Sequence, residues 1–135
     1  MNASELLKEK NVRPSLQRTG ILDYLLTKRN HPTVNTIYED LLPEMPTLSR
    51  MTVYNTLEAL CENGLAISLD FGDGSLHYDA DTRPHVHFQC EQCGSIYDIP
   101  VKPENLQGNV PAGFSVRRTQ FYAFGVCAKC SKKAK

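Results

Sequence analysis

The sequence has no long apolar segment, no excess of charge of either sign, no internal repeat and no low-complexity stretch. Without a visible signal peptide or a segment that could span a membrane, we expect a cytoplasmic protein with no membrane partner. Its 15 lysines and arginines balance its 15 aspartates and glutamates, so bulk charge gives no support to nucleic-acid binding. Phosphate contacts supply much of the affinity for DNA. A DNA-binding protein of this composition must therefore gather its basic residues on one face.

Apolar residues recur at helical spacing through the first half of the chain. Ser15 and Ser49 stand where N-caps are expected, before the first and the third of three predicted helices. The second predicted helix follows the turn at residues 31–33 and ends before Pro43. The third helix carries one apolar stripe, which we predict to be buried, formed by Val53, Leu57, Leu60 and Cys61.

Two short strands are predicted after these helices, at residues 65–71 and 76–79, joined by a Gly-Asp-Gly turn typical of hairpins. Three helices followed by a two-stranded wing describe a winged helix-turn-helix, whose third helix enters the DNA major groove. The same pattern occurs in proteins that do not bind DNA, so it leaves DNA binding open. The outward face of the third helix offers polar groups for phosphates and base edges. These groups belong to Arg50, Thr52, Tyr54, Asn55 and Thr56.

The second half predicts a small α/β domain with one three-stranded sheet, which makes the whole chain α+β. Its strands are expected at residues 85–90, 95–98 and 114–124, with a weak helix near 103–106. A polar stretch at 81–84 is a predicted hinge, which divides the chain into domains at 1–80 and 85–135. The second domain is small for an apolar core, so we expect another stabilising device.

Four of the five cysteines form two Cys-x-x-Cys pairs, Cys90 with Cys93 and Cys127 with Cys130. Four thiolates from such pairs close a tetrahedral zinc site with no open position, which is typical of structural zinc. The alternative, a pair of redox dithiols, is less well supported, because thioredoxin-like motifs have one such pair in a βαβ setting. Cys61 lies on the apolar stripe and is predicted to be a buried core residue.

A second group of possible ligands combines imidazoles and carboxylates. His85 and His87 alternate along a strand and share one side of it. Three nitrogens and two carboxylates suit iron(II), manganese(II) or zinc. Spacing alone does not bring His31 to the others, and His77 is a weaker candidate because its strand face is undetermined. The candidate ligands are His31, Asp79, His85, His87 and Asp98.

Five motifs occur in an order that resembles the ferric-uptake-regulator family over nearly the whole chain. They are VRPSLQR at 12–18, HPT at 31–33, TVYNTL at 52–57, HVHFQCEQCG at 85–94 and GVCAKC at 125–130. The resemblance implies a homodimer with an N-terminal DNA-binding domain and a C-terminal dimerization domain. It implies repression of metal-uptake or stress genes when a regulatory metal is bound. Arg13, Gln17 and Arg18 of the first motif thereby join Arg50, Thr52, Tyr54 and Asn55 as candidate contacts to operator DNA.

The five candidate ligands match the family's regulatory site residue by residue. Peroxide-sensing members tend to have aspartate at the positions of Asp79 and Asp98, where iron-uptake members tend to have glutamate. Tyr122 stands where a further metal-binding glutamate is often found. The chain therefore resembles a peroxide sensor with one regulatory iron(II) or manganese(II). In such members bound iron reacts with peroxide and oxidises ligand histidines, here His31 and His85, which is sensing and not enzymatic turnover.

Three alternatives remain open at this point. An iron- or zinc-uptake repressor of the same family would bind DNA without sensing peroxide. A mononuclear iron oxygenase would use His85, His87 and one carboxylate, but it needs an organic cosubstrate site, for which no motif is visible. A zinc-ribbon interaction module would have no DNA role. The short stretch between Asp98 and Phe114, rich in proline, also predicts that the helix usual in this family is reduced to about a turn or two.

Overall fold

The computed structural model describes residues 2–83, 85–100, 110–116 and 119–133, and the chain divides into two compact units, Met1–Thr82 and Arg83–Lys135. Within the described residues, the first unit holds four helices and a hairpin, and the second holds a three-stranded sheet and a short helix. This confirms the predicted α+β class. The helices are α1 (Ala3–Glu9), α2 (Leu16–Lys28), α3 (Val34–Leu41), α4 (Arg50–Glu62) and α5 (Ala128–Lys133). The strands are β1 (Ile67–Asp70), β2 (Leu76–Asp79), β3 (His85–Cys90), β4 (Ile96–Pro100) and β5 (Phe121–Gly125).

Each helix of the first unit begins at a side chain that accepts a hydrogen bond from the backbone amide three residues later. Such a bond satisfies one of the amides that the first helical turn leaves without a partner. The predicted caps at Ser15 and Ser49 are confirmed, with oxygen-to-nitrogen distances of 3.1 Å in both cases. Asn2 and Thr33 cap α1 and α3 in the same way.

The core of the first unit is built on α4, where Val53, Leu57 and Leu60 are fully buried. Burial of each such side chain contributes roughly 1.5–3 kcal/mol. Thr56 is only 5% exposed, so the prediction that it faces outward is wrong. It lies three residues after Val53 and therefore shares the buried face of the helix. Cys61 packs against the core but is partly exposed, so it lies at the edge of the predicted stripe.

The wing is the antiparallel pair of β1 and β2, in a register that sets Leu69 opposite His77. Gly72 and Gly74 in the connecting turn have φ values of +81° and +86°, which suit glycine. β1 is shorter than predicted because the Leu65 amide still bonds to the Leu60 carbonyl, 2.9 Å away, in the turn that ends α4.

The sheet of the second unit has the order β4-β3-β5, with β3 antiparallel to β4 and parallel to β5. His87 lies opposite Asp98 on one side and Tyr122 on the other, so these three side chains share a face. The strand predicted at 114–124 is too long, because β5 begins only at Phe121. Gly113 has a φ of +87° and belongs to a turn just before Phe114. The helix predicted near 103–106 lies outside the described residues.

α5 was not predicted. It begins directly after Cys127, and its six residues are too few to give a clear periodic signal. Among the described residues, no helix combines the length and hydropathy that a membrane crossing requires.

Candidate metal centres and nucleic-acid interface

The sulfur atoms of Cys90, Cys93, Cys127 and Cys130 all lie within 4.8 Å of one another. The Sγ atoms of Cys93 and Cys127 are 3.8 Å apart, too far for a disulfide. Four sulfurs at about 2.3 Å from one zinc ion are separated by about 3.8 Å along each edge of the tetrahedron. The cluster therefore has the chemistry and the dimensions of a closed zinc site.

Two turns present these sulfurs. Gly94 has a φ of +76° and donates to the Cys90 carbonyl at 2.9 Å, which closes the first turn. In the second, the Ser131 amide donates to the Cys127 carbonyl at 2.8 Å where α5 begins. The Glu91 amide also donates to the Gly125 carbonyl at 2.7 Å, which fixes the end of β3 against the end of β5.

Backbone amides favour the thiolate form of two of these cysteines. The pKa of Cys90 is lowered to about 6, chiefly because the amides of Cys93 and Cys127 donate to its sulfur. The pKa of Cys127 is lowered by the Cys130 amide. Burial raises the pKa of Cys130 to about 12, since the low-dielectric surroundings disfavour an isolated negative charge. A divalent cation among the sulfurs would offset that penalty.

The second cluster lies on β3 and β4, where two imidazoles meet one carboxylate. Asp98 Oδ1 is 3.2 Å from His85 Nε2 and 3.4 Å from His87 Nδ1. The two rings are 4.2 Å apart in an edge-to-face arrangement, and both side chains are buried. His85 Nδ1 lies 2.6 Å from the Arg83 carbonyl and donates to it, so Nε2 is the ring nitrogen that faces Asp98. A backbone carbonyl is one of the usual acceptors for the second ring nitrogen of a metal-binding histidine.

Within the first unit, His31 and Asp79 form a smaller group. His31 Nε2 is 3.5 Å from Asp79 Oδ2, and both side chains are largely buried. The other carboxylate oxygen of Asp79 accepts from the Asp81 amide at 2.9 Å, which fixes its rotation. The fold thus brings together two residues that are 48 positions apart, which spacing could not predict.

The candidate DNA contacts lie on α4 and around the start of α2. Tyr54 is 43% exposed and Asn55 is exposed, as expected for a recognition helix. Thr52 is half-buried, and its hydroxyl lies 2.9 Å from that of the capping Ser49. Arg50 is exposed, and its Nε donates to the Asn35 side chain at 2.8 Å.

At the start of α2, Arg18 donates to the Arg13 carbonyl at 2.9 Å, so these two residues are held together. Arg13 is exposed, whereas Gln17 and Arg18 are half-buried. The Arg50 guanidinium also stacks 4.4 Å above the Tyr38 ring, which links α4 to α3. The side chains of Arg18 and Arg50 are therefore oriented by contacts within the first unit.

Residues 9–124 match the family model described as the ferric uptake regulator family. The chain belongs to this family. It is 42% identical to the peroxide operon regulator of Bacillus subtilis, over 97% of this chain and 92% of that protein. It is 36% identical to the peroxide-responsive repressor PerR of Staphylococcus aureus, over 94% of this chain and 88% of that protein. The solved structure of PerR from Streptococcus pyogenes, a study of peroxide sensing and gene regulation, is 32% identical with a TM-score of 0.55, covering 96% and 94% of the two chains.

Sequence reasoning missed two parts of the site in this ferric uptake regulator family member. The Arg83 carbonyl orients His85, but a backbone acceptor leaves no signal in side-chain identity. His77 was left as a weak ligand candidate, whereas its ring contacts the backbone of His31. The only available signal was its place two residues before Asp79 on the same strand face.

Proposed function

We propose that this protein is a metal-dependent transcriptional repressor that binds operator DNA as a homodimer and is inactivated by peroxide. Its relatives in Bacillus subtilis and Staphylococcus aureus are named as a peroxide operon regulator and a peroxide-responsive repressor. Membership of the ferric uptake regulator family supports the assignment to transcriptional regulators. The clustered histidine, aspartate and cysteine side chains support the dependence on metal ions.

The observation that carries this proposal is the convergence of His85 Nε2 and His87 Nδ1 on one oxygen of Asp98. Nitrogen and carboxylate donors suit iron(II) and manganese(II), whereas the thiolate cluster suits zinc. The chain therefore offers two chemically different metal sites. In our proposal the four cysteines hold a structural Zn²⁺, and the histidines and aspartates hold the regulatory ion.

The proposed regulatory set has five ligands, namely His31, Asp79, His85, His87 and Asp98. His31 with Asp79, and the other three ligands, each form a compact group within their own unit. The proposed domains are a winged-helix DNA-binding domain at 1–80, a hinge at 81–84, and a dimerization and zinc domain at 85–135. An ion bound by both domains would couple metal occupancy to the placement of the recognition helix, and the coupling would be reciprocal.

For DNA, α4 is the proposed recognition helix. Tyr54 and Asn55 would read base edges and thymine methyl groups. The neighbouring contacts would come from Thr52 and Gln17, and phosphate contacts from Arg13, Arg18 and Arg50. These three arginines lie in the first unit, around the start of α2 and at the start of α4, and the proposal rests on their placement because the net charge of the chain gives it no support.

For the homodimer, the supporting feature is the second face of the three-stranded sheet. The register puts Phe88, Tyr97 and Ile99 on the side opposite His87. Tyr97 and Ile99 are among the exposed large apolar side chains, as is Phe121 on β5. Such a patch on a sheet is typical of an interaction surface. A second copy of the chain is its proposed partner.

The histidines and carboxylates would hold the iron(II), which would supply redox chemistry toward peroxide; over the whole reaction, the two electrons that reduce peroxide come from the imidazole that is oxidised. The ring of His31 or His85 would gain one oxygen atom, and the second peroxide oxygen would leave as water. An oxidised imidazole is a poorer ligand, so the regulatory ion would dissociate and DNA binding would be lost. One modification inactivates one molecule, so the process is sensing without enzymatic turnover.

The test is peptide mapping by mass spectrometry after the zinc-loaded protein is loaded anaerobically with iron(II) and treated briefly with a low dose of peroxide. We expect one added oxygen on His31 or His85. The matched control is loading with manganese(II), which should leave both histidines intact. If iron is demonstrably bound and neither histidine is oxidised, the protein is an iron- or zinc-uptake repressor and the sensing part of the proposal is wrong.

A further inference from the structure

His77 is the histidine that the proposed regulatory site does not use. It lies on β2, and its side chain is 16% exposed. Its ring contacts Phe71 edge to face with centroids 5.8 Å apart. Its Nδ1 lies 2.8 Å from the His31 carbonyl oxygen. A carbonyl oxygen only accepts, so His77 Nδ1 carries the proton and donates.

The segment that His77 contacts has an unfavourable backbone conformation. His31 has a φ of +50° and Arg29 has a φ of +48°, and neither residue is glycine. The left-handed conformation is unfavourable for such a residue, because its Cβ comes too close to the following carbonyl oxygen. It persists only where surrounding contacts hold it in place.

Three consecutive residues of β2 provide such contacts. His77 donates to the carbonyl of His31, and the Tyr78 amide donates to the carbonyl of Pro32 at 2.9 Å. Asp79 faces the ring of His31 at 3.5 Å. On the other side of the segment, the side chain of Asn30 donates to the Tyr24 hydroxyl at 3.0 Å. β2 therefore carries Asp79, one of the two proposed ligands in the first unit, and also contacts the segment that carries the second, His31.

We propose that His77 is a positioning residue, which holds the backbone of His31 so that its Nε2 faces Asp79 ready for the regulatory ion. The inference rests on the proposed function, because it takes His31 to be a ligand of that ion. The His77 side chain would not bind the metal. Without its hydrogen bond the His31 segment would sample other conformations, and part of the binding energy would be spent on ordering it.

The test compares two substitutions of similar size in the full-length, zinc-loaded protein. His77→Asn places an amide nitrogen near the position of Nδ1 and keeps the donor. His77→Leu fills similar space and contacts Phe71, but it has no donor. Manganese(II) affinity is measured by the electron paramagnetic resonance signal of free Mn²⁺. Thermal unfolding is recorded in parallel, because a purely structural role would change the unfolding temperature alone.

We expect His77→Leu to weaken manganese(II) binding on the order of tenfold, as removal of an orienting partner of a metal ligand does elsewhere. After iron loading and peroxide, its share of oxidation at His31 relative to His85 should fall. The His77→Asn variant should retain most of the manganese(II) affinity and most of the oxidation at His31. If both variants bind manganese(II) as the unsubstituted protein does, or if they are weakened equally, the positioning role is wrong.

His31→Ala separates this inference from the function on which it rests. If His31→Ala leaves manganese(II) affinity unchanged, His31 is not a ligand and both proposals about it are wrong. If His31→Ala abolishes tight binding but His77→Leu has no effect, only the positioning role is wrong. Absence of histidine oxidation in the unsubstituted protein contradicts peroxide sensing, and the manganese(II) comparison still decides the role of His77.

Discussion

Asp98 lies within 3.4 Å of both histidines of β3. One of its oxygens faces both His85 and His87, although all three side chains come from a two-stranded ladder with no loop contribution. Sites on paired strands are more rigid than sites on loops. The orientation of His85 is fixed further by its bond to the Arg83 carbonyl. We therefore expect this part of the proposed site to be formed before an ion binds.

At the scale of the single residue, His85→Ala should separate the two metal sites. The substitution removes one proposed regulatory ligand and leaves the four cysteines intact. We expect the zinc content and the dimer mass to be unchanged, and manganese-dependent operator binding to be lost. Fluorescence anisotropy with labelled operator DNA, with and without manganese(II), measures this. Normal metal-dependent binding by the variant would contradict the coupling model.

At the scale of the element, the stability of α4 depends on the hydrogen bonds of its first turn. Ser49 caps the helix and Thr52 lies against the same hydroxyl, immediately beside the proposed recognition residues. Ser49→Ala should lower the free energy of unfolding of the first unit by about 1 kcal/mol, since it removes an N-cap. Urea unfolding followed by circular dichroism measures the change, with zinc content as the control. A change within about 0.3 kcal/mol of zero would mean that the cap contributes nothing net.

The same elements show how far sequence reasoning reaches. Ser15 and Ser49 were predictable because a cap is local, involving residues three positions apart. β2 and β3 were predicted with their observed bounds, because alternation and turn residues mark both ends. The strand predicted from residue 114 was too long, since β-favouring residues continue through a region where tertiary context decides the conformation.

Long-range contacts could not be predicted from the sequence, because tertiary packing decides them. The zinc cluster was apparent because each Cys-x-x-Cys pair is a local motif. The approach of His31 to Asp79 depends on packing of the α2–α3 turn against the wing, which no local pattern encodes. Thr56 was assigned to the wrong face because a threonine near polar neighbours gives little periodic signal. The bond from His77 to a backbone carbonyl was invisible in side-chain identity.

At the scale of the whole molecule, the two units differ in how their interiors are filled. The first has a core of 15 buried residues, from Ala3 to Tyr78. In the described part of the second unit, the buried apolar side chains are those of Cys90 and Cys127, beside the buried imidazoles of His85 and His87. We therefore expect the second unit to depend on bound zinc for its stability far more than the first unit does.

Removal of zinc by a strong chelator should accordingly unfold the second unit and leave the first folded. We expect loss of the dimer in size-exclusion chromatography, with most of the helical circular dichroism retained because α1 to α4 belong to the first unit. Cys61→Ser is the matched control, since it should not change zinc content or sensitivity to the chelator. Simultaneous loss of all helical signal would contradict this independence.

DNA binding by a chain without net charge should depend on a few placed cations. Arg13→Ala should weaken binding to all sequences alike and reduce the salt slope by about one, as expected for one lost phosphate contact. Asn55→Ala should cost about 1–3 kcal/mol of discrimination between operator and mismatched DNA. Titrations at several salt concentrations measure both effects. The interpretation of α4 as the recognition helix fails if Asn55→Ala changes affinity without changing discrimination.

The parallel pairing of β3 with β5 bears on how the protein is made. β3 is the central strand of its sheet, yet one neighbour and two of its zinc-ligand partners are translated more than 30 residues later. During translation, the helices and wing of the first unit can fold before β5, one of the two neighbours of β3 in its sheet, has been synthesised. The nascent chain acquires the zinc cluster only after Cys130 has emerged. A polypeptide released early would therefore carry the folded first unit, the proposed DNA-binding domain, without the completed sheet that we propose as the dimer interface.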